Sequence, residues 1–288
     1  HQLSRGLGDV YKRQAADGAQ KARWLHPIIA GELHGTLAYV EPQSRYDLAD
    51  IETTARSSGD EWILDGRKGV VPNGGTADLF VIPARSSGKP GDAAGVTLFA
   101  VPGDTPGLQR SSYATIDGLQ AAEIVLHGVR VPADHVLGEV DGGFAALDET
   151  IDDATLAVCA EAVGLMQALT DKTVEYAKQR EQFGVPIGTF QALQHRMVDM
   201  LMGCEKAQSV LIWAVLARAG SGDDVKRAVS TIKYLIGSLG QKVGEEAVQI
   251  HGGMGVTWEL DVAHLFKRLT AINRHFGNAD WHLDRLAG

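Results

Sequence analysis

The sequence predicts an α+β protein: a small antiparallel β-barrel or sandwich in the middle, followed by an antiparallel four-helix bundle. Three observations carry this. From His34 to about residue 138, short β-rich runs alternate with Gly, Pro and Asp turns. From Phe144 onward, apolar residues recur every three or four positions over much longer stretches. The corners between those stretches are short, which sets successive helices antiparallel. At 288 residues the chain is long for one core, so two domains are expected.

The opening HQLSRGLGDVYKRQ, residues 1–14, has no periodicity and a basic, turn-rich texture. It reads as a non-native, disordered leader. Residues 15–33 read as a helix ending before Gly31. The β domain, 34–138, follows. Strands are expected at His34 to Val40, Ile51 to Arg56, Glu61 to Leu64 and, after an Asp65-Gly66 turn, Arg67 to Val71. Further strands are expected at Leu79 to Ile82, Val96 to Val101, Glu123 to Leu126 and Val129 to Val131. Ser86 to Ala94 reads as a flexible surface loop.

The bundle, 139–288, opens with one apolar stripe: Phe144, Leu147, Ile151, Ala154, Val158, Ala162, Leu165, Leu169, Thr173 and Tyr176. A second helix is expected from Thr189 to about Ala219. A third is capped by Asp223 and ends at Gly252, Gly253 and Gly255. A fourth, capped by Thr257, runs to the end.

Composition excludes several functions. Net charge is −9 with no basic stripe, so no nucleic-acid partner is expected. The ten histidines lack Cys/His ligand spacing, so no metal is expected. Cys159 and Cys204 both fall on apolar helix faces. That rules out a disulfide framework and suits a reducing, cytoplasmic compartment. No uninterrupted apolar run approaches the roughly eighteen residues that span a bilayer.

The chemistry concentrates between Tyr176 and Met200, YAKQREQFGVPIGTFQALQHRMVDM. Gly184 and Pro186 stop the helix and force a corner. Just before it, the Arg180 guanidinium can hold two phosphate oxygens, with Gln182 and Phe183 beside it to add a hydrogen bond and a ring face. An arginine at a helix end also serves as a solvated charge or dipole partner, and the residues alone leave both readings open.

The pattern Y-A-x-x-R-x-Q-F-G-x-P-I-G-x-F-Q-A-x-Q-H-x-x-x-D-M, joined to Gln249-Ile250-His251-Gly252-Gly253-Met254-Gly255, resembles the acyl-CoA dehydrogenase family. These flavoenzymes put a double bond next to an acyl thioester. The resemblance covers about Gln20 to the C-terminus and makes the chain a relative lacking most of the family's N-terminal helical domain. It implies FAD as cofactor, an acyl-CoA substrate from fatty-acid or steroid side-chain β-oxidation, oligomeric subunits, and an electron-transferring flavoprotein as acceptor. In the family one subunit's FAD is completed by a neighbour. The resemblance therefore assigns Arg180 to the diphosphate, Gln182 and Phe183 to its flank, and Gln249, Gly252 and Gly253 to the opposite wall.

Departures from the family are equally specific. Where it keeps a base in Tyr-Glu-Gly, this chain reads His275-Phe276-Gly277, and the alternative base position is Ala154. Neither can take a proton, so the catalytic residues are unknown. The nearby Asp152 and Asp153 read as solvated first-turn acids. Thr-Glu-Pro has become Val40-Glu41-Pro42, Gly-Ala-Gly-Ser-Asp has become Gln43-Ser44-Arg45-Tyr46-Asp47, and the flavin-covering Trp-x-Thr has become Val70-Val71-Pro72. Groups serving a neighbour's FAD are kept; groups serving a flavin and base in the same subunit are gone. That pattern resembles the bacterial heterotetramer branch and implies the partner-type subunit. A non-enzymatic scaffold subunit and a flavin oxidase or oxygenase using His275 are the alternatives.

Overall fold

Strands and helices segregate along the chain in the order the periodicity dictates. The computed structural model describes residues 16–220 and 222–287; the leader at 1–14 lies outside them. Two compact units divide between residues 154 and 155.

In the first unit a helical run, α1, comprises Gly18–Gln20, a π turn Lys21–Leu25 and His26–Ala30. Its start is a capping box: the Asp17 carboxylate accepts from the Gln20 N–H, and the Gln20 side chain accepts from the Asp17 N–H. The Gln20 amide also donates to the carbonyls of Asp134 and Val136, and the Trp24 and His135 rings meet edge-on at 5.0 Å. These contacts fasten α1 to the end of the sheet.

The sheet holds β1 Gly35–Leu37, β2 Thr54–Ser58, β3 Glu61–Pro72, β4 Leu79–Arg85, β5 Val96–Pro102, β6 Leu108–Ala114, β7 Gln120–Pro132 and β8 Val136–Leu137. Its order is β6-β7-β3-β2-β4-β5-β8, with β1 on β4. It is mixed rather than wholly antiparallel, because β1 runs parallel to β4. Nor is the barrel closed, since β6 and β8 end the order without pairing to each other. The core packs Phe80, Ile82, Phe99, Leu64, Ile124 and Leu126.

Two expected breaks are absent. Asp65-Gly66 makes no turn: β3 runs through it with a register shift, and Asp65 Oδ1 accepts the Gly128 N–H at 2.7 Å across the sheet. The two runs around Gly128 likewise form one strand, β7, because β3 supplies a continuous ladder for both. Strand β6 escaped the sequence reading. Six of its seven residues are exposed, so it lacks alternation.

Burial produces two polar features that no local pattern announces. Lys68 Nζ donates to Glu41 Oε1 at 2.6 Å, both side chains almost fully buried. Glu41 also accepts from the Glu52 and Thr53 N–H groups and the Gln43 amide. Burial by itself would raise the Glu41 carboxyl, but the Lys68 charge and these hydrogen bonds hold it below the ordinary value.

The second feature is the buried Arg85 guanidinium, which donates to the carbonyls of Ala49, Ile51, Ala94 and Asp92. The 86–94 segment, expected to be flexible, is therefore organised around a cation. Arg85→Ala is expected to speed hydrogen exchange of amides 86–95 by about tenfold or more. Unchanged protection would show that the loop holds itself.

Helix α2, Phe144–Gln179, starts where the apolar stripe starts. Asp152 lies in its third turn and is buried, 5% exposed, so it is not the solvated first-turn acid expected. α3 is Gln191–Ala217, two residues late because Ile187–Thr189 forms a 3-10 turn. α4 is Asp223–Leu235, and its N-cap is Gly222, with Asp223 already inside the first turn. A π turn Ile236–Gly240 joins it to α5, Gln241–His251.

The expected fourth helix is two helices, α6 Asp261–Arg274 and α7 Ala279–Ala287. Thr257 closes a 3-10 turn instead of capping α6, whose N-cap is Leu260. The break between α6 and α7 comes from Phe276 and Gly277, at φ 57° and 99°. Three donations hold it: Lys233 Nζ to the carbonyls of Gly277 and Asn273, and His282 Nε2 to that of Phe276.

α3 holds no uninterrupted apolar run of bilayer length, since Glu205, Lys206 and Gln208 break it, yet by overall length and composition it is the one helix among the described residues long and apolar enough to cross a membrane. Only 28% of its most apolar stretch is buried. Met200, Gly203, Cys204, Ala207 and Ala214 face the bundle, while Leu201, Ile212, Trp213, Val215 and Leu216 stay exposed.

Candidate functional site

The corner after α2 is a miniature β-hairpin. The Arg180 N–H still donates helically to the Tyr176 carbonyl at 2.8 Å, and the Arg180 carbonyl accepts from the returning Ile187 N–H at 2.8 Å. Between them β9, Glu181–Gln182, pairs antiparallel with β10, Val185–Pro186. Phe183 and Gly184 form the turn, at φ 56° and 83°. Positive φ at both central residues defines the turn whose twist matches a two-residue hairpin. The helix thus ends at Gln179, before the Gly184 stop read from the sequence.

Phenylalanine is uncommon in that backbone region, and Phe183 is 94% exposed; among the described residues its one ring neighbour is Phe190, edge-on with centroids 6.2 Å apart. An apolar ring both strained and bare does nothing for the folding of its own chain. The Gln182 amide donates to the neighbouring Glu181 carbonyl at 2.7 Å. Arg180 is exposed, its backbone pinned on both sides. Among the described residues its guanidinium makes no ion pair or hydrogen bond. A free fork on a fixed root can take two anionic oxygens.

Opposite is the end of α5. Gly252, at φ 61° and ψ −139°, closes the helix and opens a 3-10 turn, Gly252–Val256. Gly255 is needed internally, since a Cβ there would lie 2.6 Å from the Val248 carbonyl oxygen. Gly253 is different. A Cβ there would meet nothing within 4 Å, and its backbone is outside the left-handed region. Nothing among the described residues calls for glycine at 253, and the open space in front of it suits close approach of another molecule. Gln249 is exposed on the last turn of α5, its side chain without a partner among the described residues.

The two motifs meet. The Tyr176 ring stacks on the His251 ring, centroids 4.3 Å apart and planes 27° from parallel, and the Tyr176 hydroxyl donates to the His251 carbonyl at 3.4 Å. Arg180 lies one helical turn beyond Tyr176, and Gly252 follows His251 directly. All six sequence-named residues, Arg180, Gln182, Phe183, Gln249, Gly252 and Gly253, therefore sit at one end of the helical unit. Sequence reasoning missed the Tyr176–His251 contact. Both letters stand inside the motifs, but a ring contact 75 positions apart has no local signature.

The positions where a base was sought hold no acid. Ala154 and Phe276 are both buried. In the β unit, Val70 sits at φ 49° and is 50% exposed, an outlier conformation for a β-branched residue, within the β3 register shift. Val71 is buried, and the Pro72 carbonyl is occupied by the Thr36 hydroxyl at 2.7 Å. That stretch offers neither a side-chain hydroxyl nor a broad aromatic face. The exposed Arg180 guanidinium and the open Gly253 backbone have the chemistry to take a diphosphate, whereas Val70-Val71-Pro72 brings no hydroxyl or aromatic side chain to a flavin ring.

Residues 36–129 match the family model of the acyl-CoA dehydrogenase middle domain, and residues 141–287 that of the acyl-CoA dehydrogenase C-terminal domain. A probable acyl-CoA dehydrogenase, YngJ, of Bacillus subtilis is 33% identical over 252 residues, covering 86% of this chain and 66% of the relative. The solved acyl-CoA dehydrogenase of Geobacillus kaustophilus superposes with a TM-score of 0.91 at 30% identity, covering 96% of this chain and 74% of that one. PigA, solved with FAD and proline, superposes at 0.92 with 26% identity, covering 99% and 75%. The chain spans about two thirds of the length of the curated relatives it matches.

Proposed function

The chain belongs to the acyl-CoA dehydrogenase family, and from that membership we propose that it is a subunit that completes the FAD site of a neighbouring subunit in an oligomeric acyl-CoA dehydrogenase. One observation carries the reading: Arg180, exposed and unpaired among the described residues, stands at the same end of the helical unit as the open Gly253 backbone. The guanidinium would hold diphosphate oxygens, the Gly252-Gly253 backbone would border them, and Gln249 would add a hydrogen bond. Bound FAD supplies the acceptor for the hydride leaving the acyl β-carbon.

This chain brings no group at Ala154 or Phe276 to take the α-proton, so the base comes from the neighbour. The exposed apolar face of α3 supports an oligomer, since a monomer gains nothing by leaving Ile212, Trp213, Val215 and Leu216 in water. Buried, free Cys159 and Cys204 suit a reducing cytoplasm. The substrate is an acyl-CoA of fatty-acid or steroid side-chain β-oxidation, and the electron acceptor an electron-transferring flavoprotein.

The test is co-expression with a base-bearing family member. The complex is expected to carry flavin and to turn over acyl-CoA, and Arg180→Ala in this chain to weaken its flavin binding by about 100-fold. Stoichiometric flavin and turnover by this chain alone would refute the proposal. A flavin-free complex that still assembles would favour a scaffold.

A further inference from the structure

We propose that Tyr176 and His251 are positioning residues: their ring stack sets the separation between the Arg180 guanidinium and the Gly252-Gly253 backbone, so that both can engage one diphosphate. This rests on the clamp reading above and goes beyond it, because neither residue is asked to touch the ligand.

The covalent and noncovalent path between the two halves is short. Arg180 is tied through its N–H to the Tyr176 carbonyl at 2.8 Å. The Tyr176 ring lies on the His251 ring at 4.3 Å, and its hydroxyl reaches the His251 carbonyl. His251 is itself held, its Nδ1 bonded to the Ala247 carbonyl at 2.8 Å one turn back in α5. Its carbonyl leads directly into the Gly252 peptide. Each half of the clamp is thus rooted in a residue whose ring bears on the other's.

Such a device is needed here. An anion bridging a side chain and a backbone bend gains from both only when their separation is right to roughly half an ångström. The Arg180 side chain is long and unsupported, so precision has to come from its root. A stack of two rings, one half-buried and one buried, resists shear better than aliphatic packing does, because sliding uncovers ring face and breaks the hydroxyl contact.

The test uses the full chain and ADP as the diphosphate probe, with affinity read by titration calorimetry. Tyr176→Leu, which removes the ring, is expected to weaken ADP binding by about tenfold or more, whereas Tyr176→Phe, which keeps the stack, is expected to stay within about twofold of the parent. A merely structural tyrosine would lower the melting temperature without changing ADP affinity per folded molecule, and rescue by phenylalanine would not appear in affinity. Loss of binding in Arg180→Ala with unchanged binding in Tyr176→Leu would overturn the positioning role alone. No saturable ADP binding by the parent at millimolar concentration, or no effect of Arg180→Ala, would overturn the clamp reading beneath it.

Discussion

Lowering the pH from 7 to 4 is expected to destabilise the helical unit by about 3 kcal/mol through His282 alone, and by about 5 kcal/mol once the pH falls below 3. His282 is buried, with Nε2 donating to the Phe276 carbonyl and Nδ1 without a partner. Burial, aided by the charges of Lys233 and Arg285, pushes its pKa down to about 3. The sign follows directly. Between about pH 6.5 and 3 the unfolded chain binds a proton that the folded chain refuses, so stability is full above 6.5 and lost on acidification. Urea denaturation at pH 7 and pH 4 checks it: His282→Phe should be less stable at pH 7, having lost the Phe276 bond, yet should lose about 3 kcal/mol less between the two pH values. An equal acid loss in both proteins would remove His282 as the cause.

Lys68→Met is expected to destabilise the β unit by about 3–5 kcal/mol. The substitution keeps the apolar stem and deletes the charge, stranding the Glu41 carboxylate where its side chain is 2% exposed. Burial already pulls the Lys68 ammonium below the ordinary lysine value, with Glu41 opposing it, so each partner is tolerable inside only while the other is present. The double variant Lys68→Met with Glu41→Gln should recover part of the loss, because an amide can still accept from the Glu52 and Thr53 N–H groups. Urea midpoints of the parent, single and double variants decide it. A single variant as stable as the parent would show that the carboxylate finds water. If the single variant fails to fold, recovery in the double variant still identifies the stranded charge.

The sequence alone determined the class and order of elements, since periodicity is a local signal. The stripe from Phe144 to Tyr176 is helix α2, and the turn-punctuated runs from Glu61 to Val131 are strands. It also named the residues of the proposed clamp, because Arg180 and Gly252-Gly253 stand inside contiguous motifs. Tertiary structure decided what depends on a partner far along the chain. Asp65-Gly66 has turn chemistry, but the unbroken ladder offered by β7 outweighs it. Thr257 has capping chemistry, but the 3-10 turn claims it. The Lys68–Glu41 pair, the Arg85 hub and the Tyr176–His251 stack each join residues from different elements, and a one-dimensional pattern carries no term for such contacts. A local motif can say that an arginine is suited to a diphosphate; only packing fixes the distance from it to the backbone proposed to share the load.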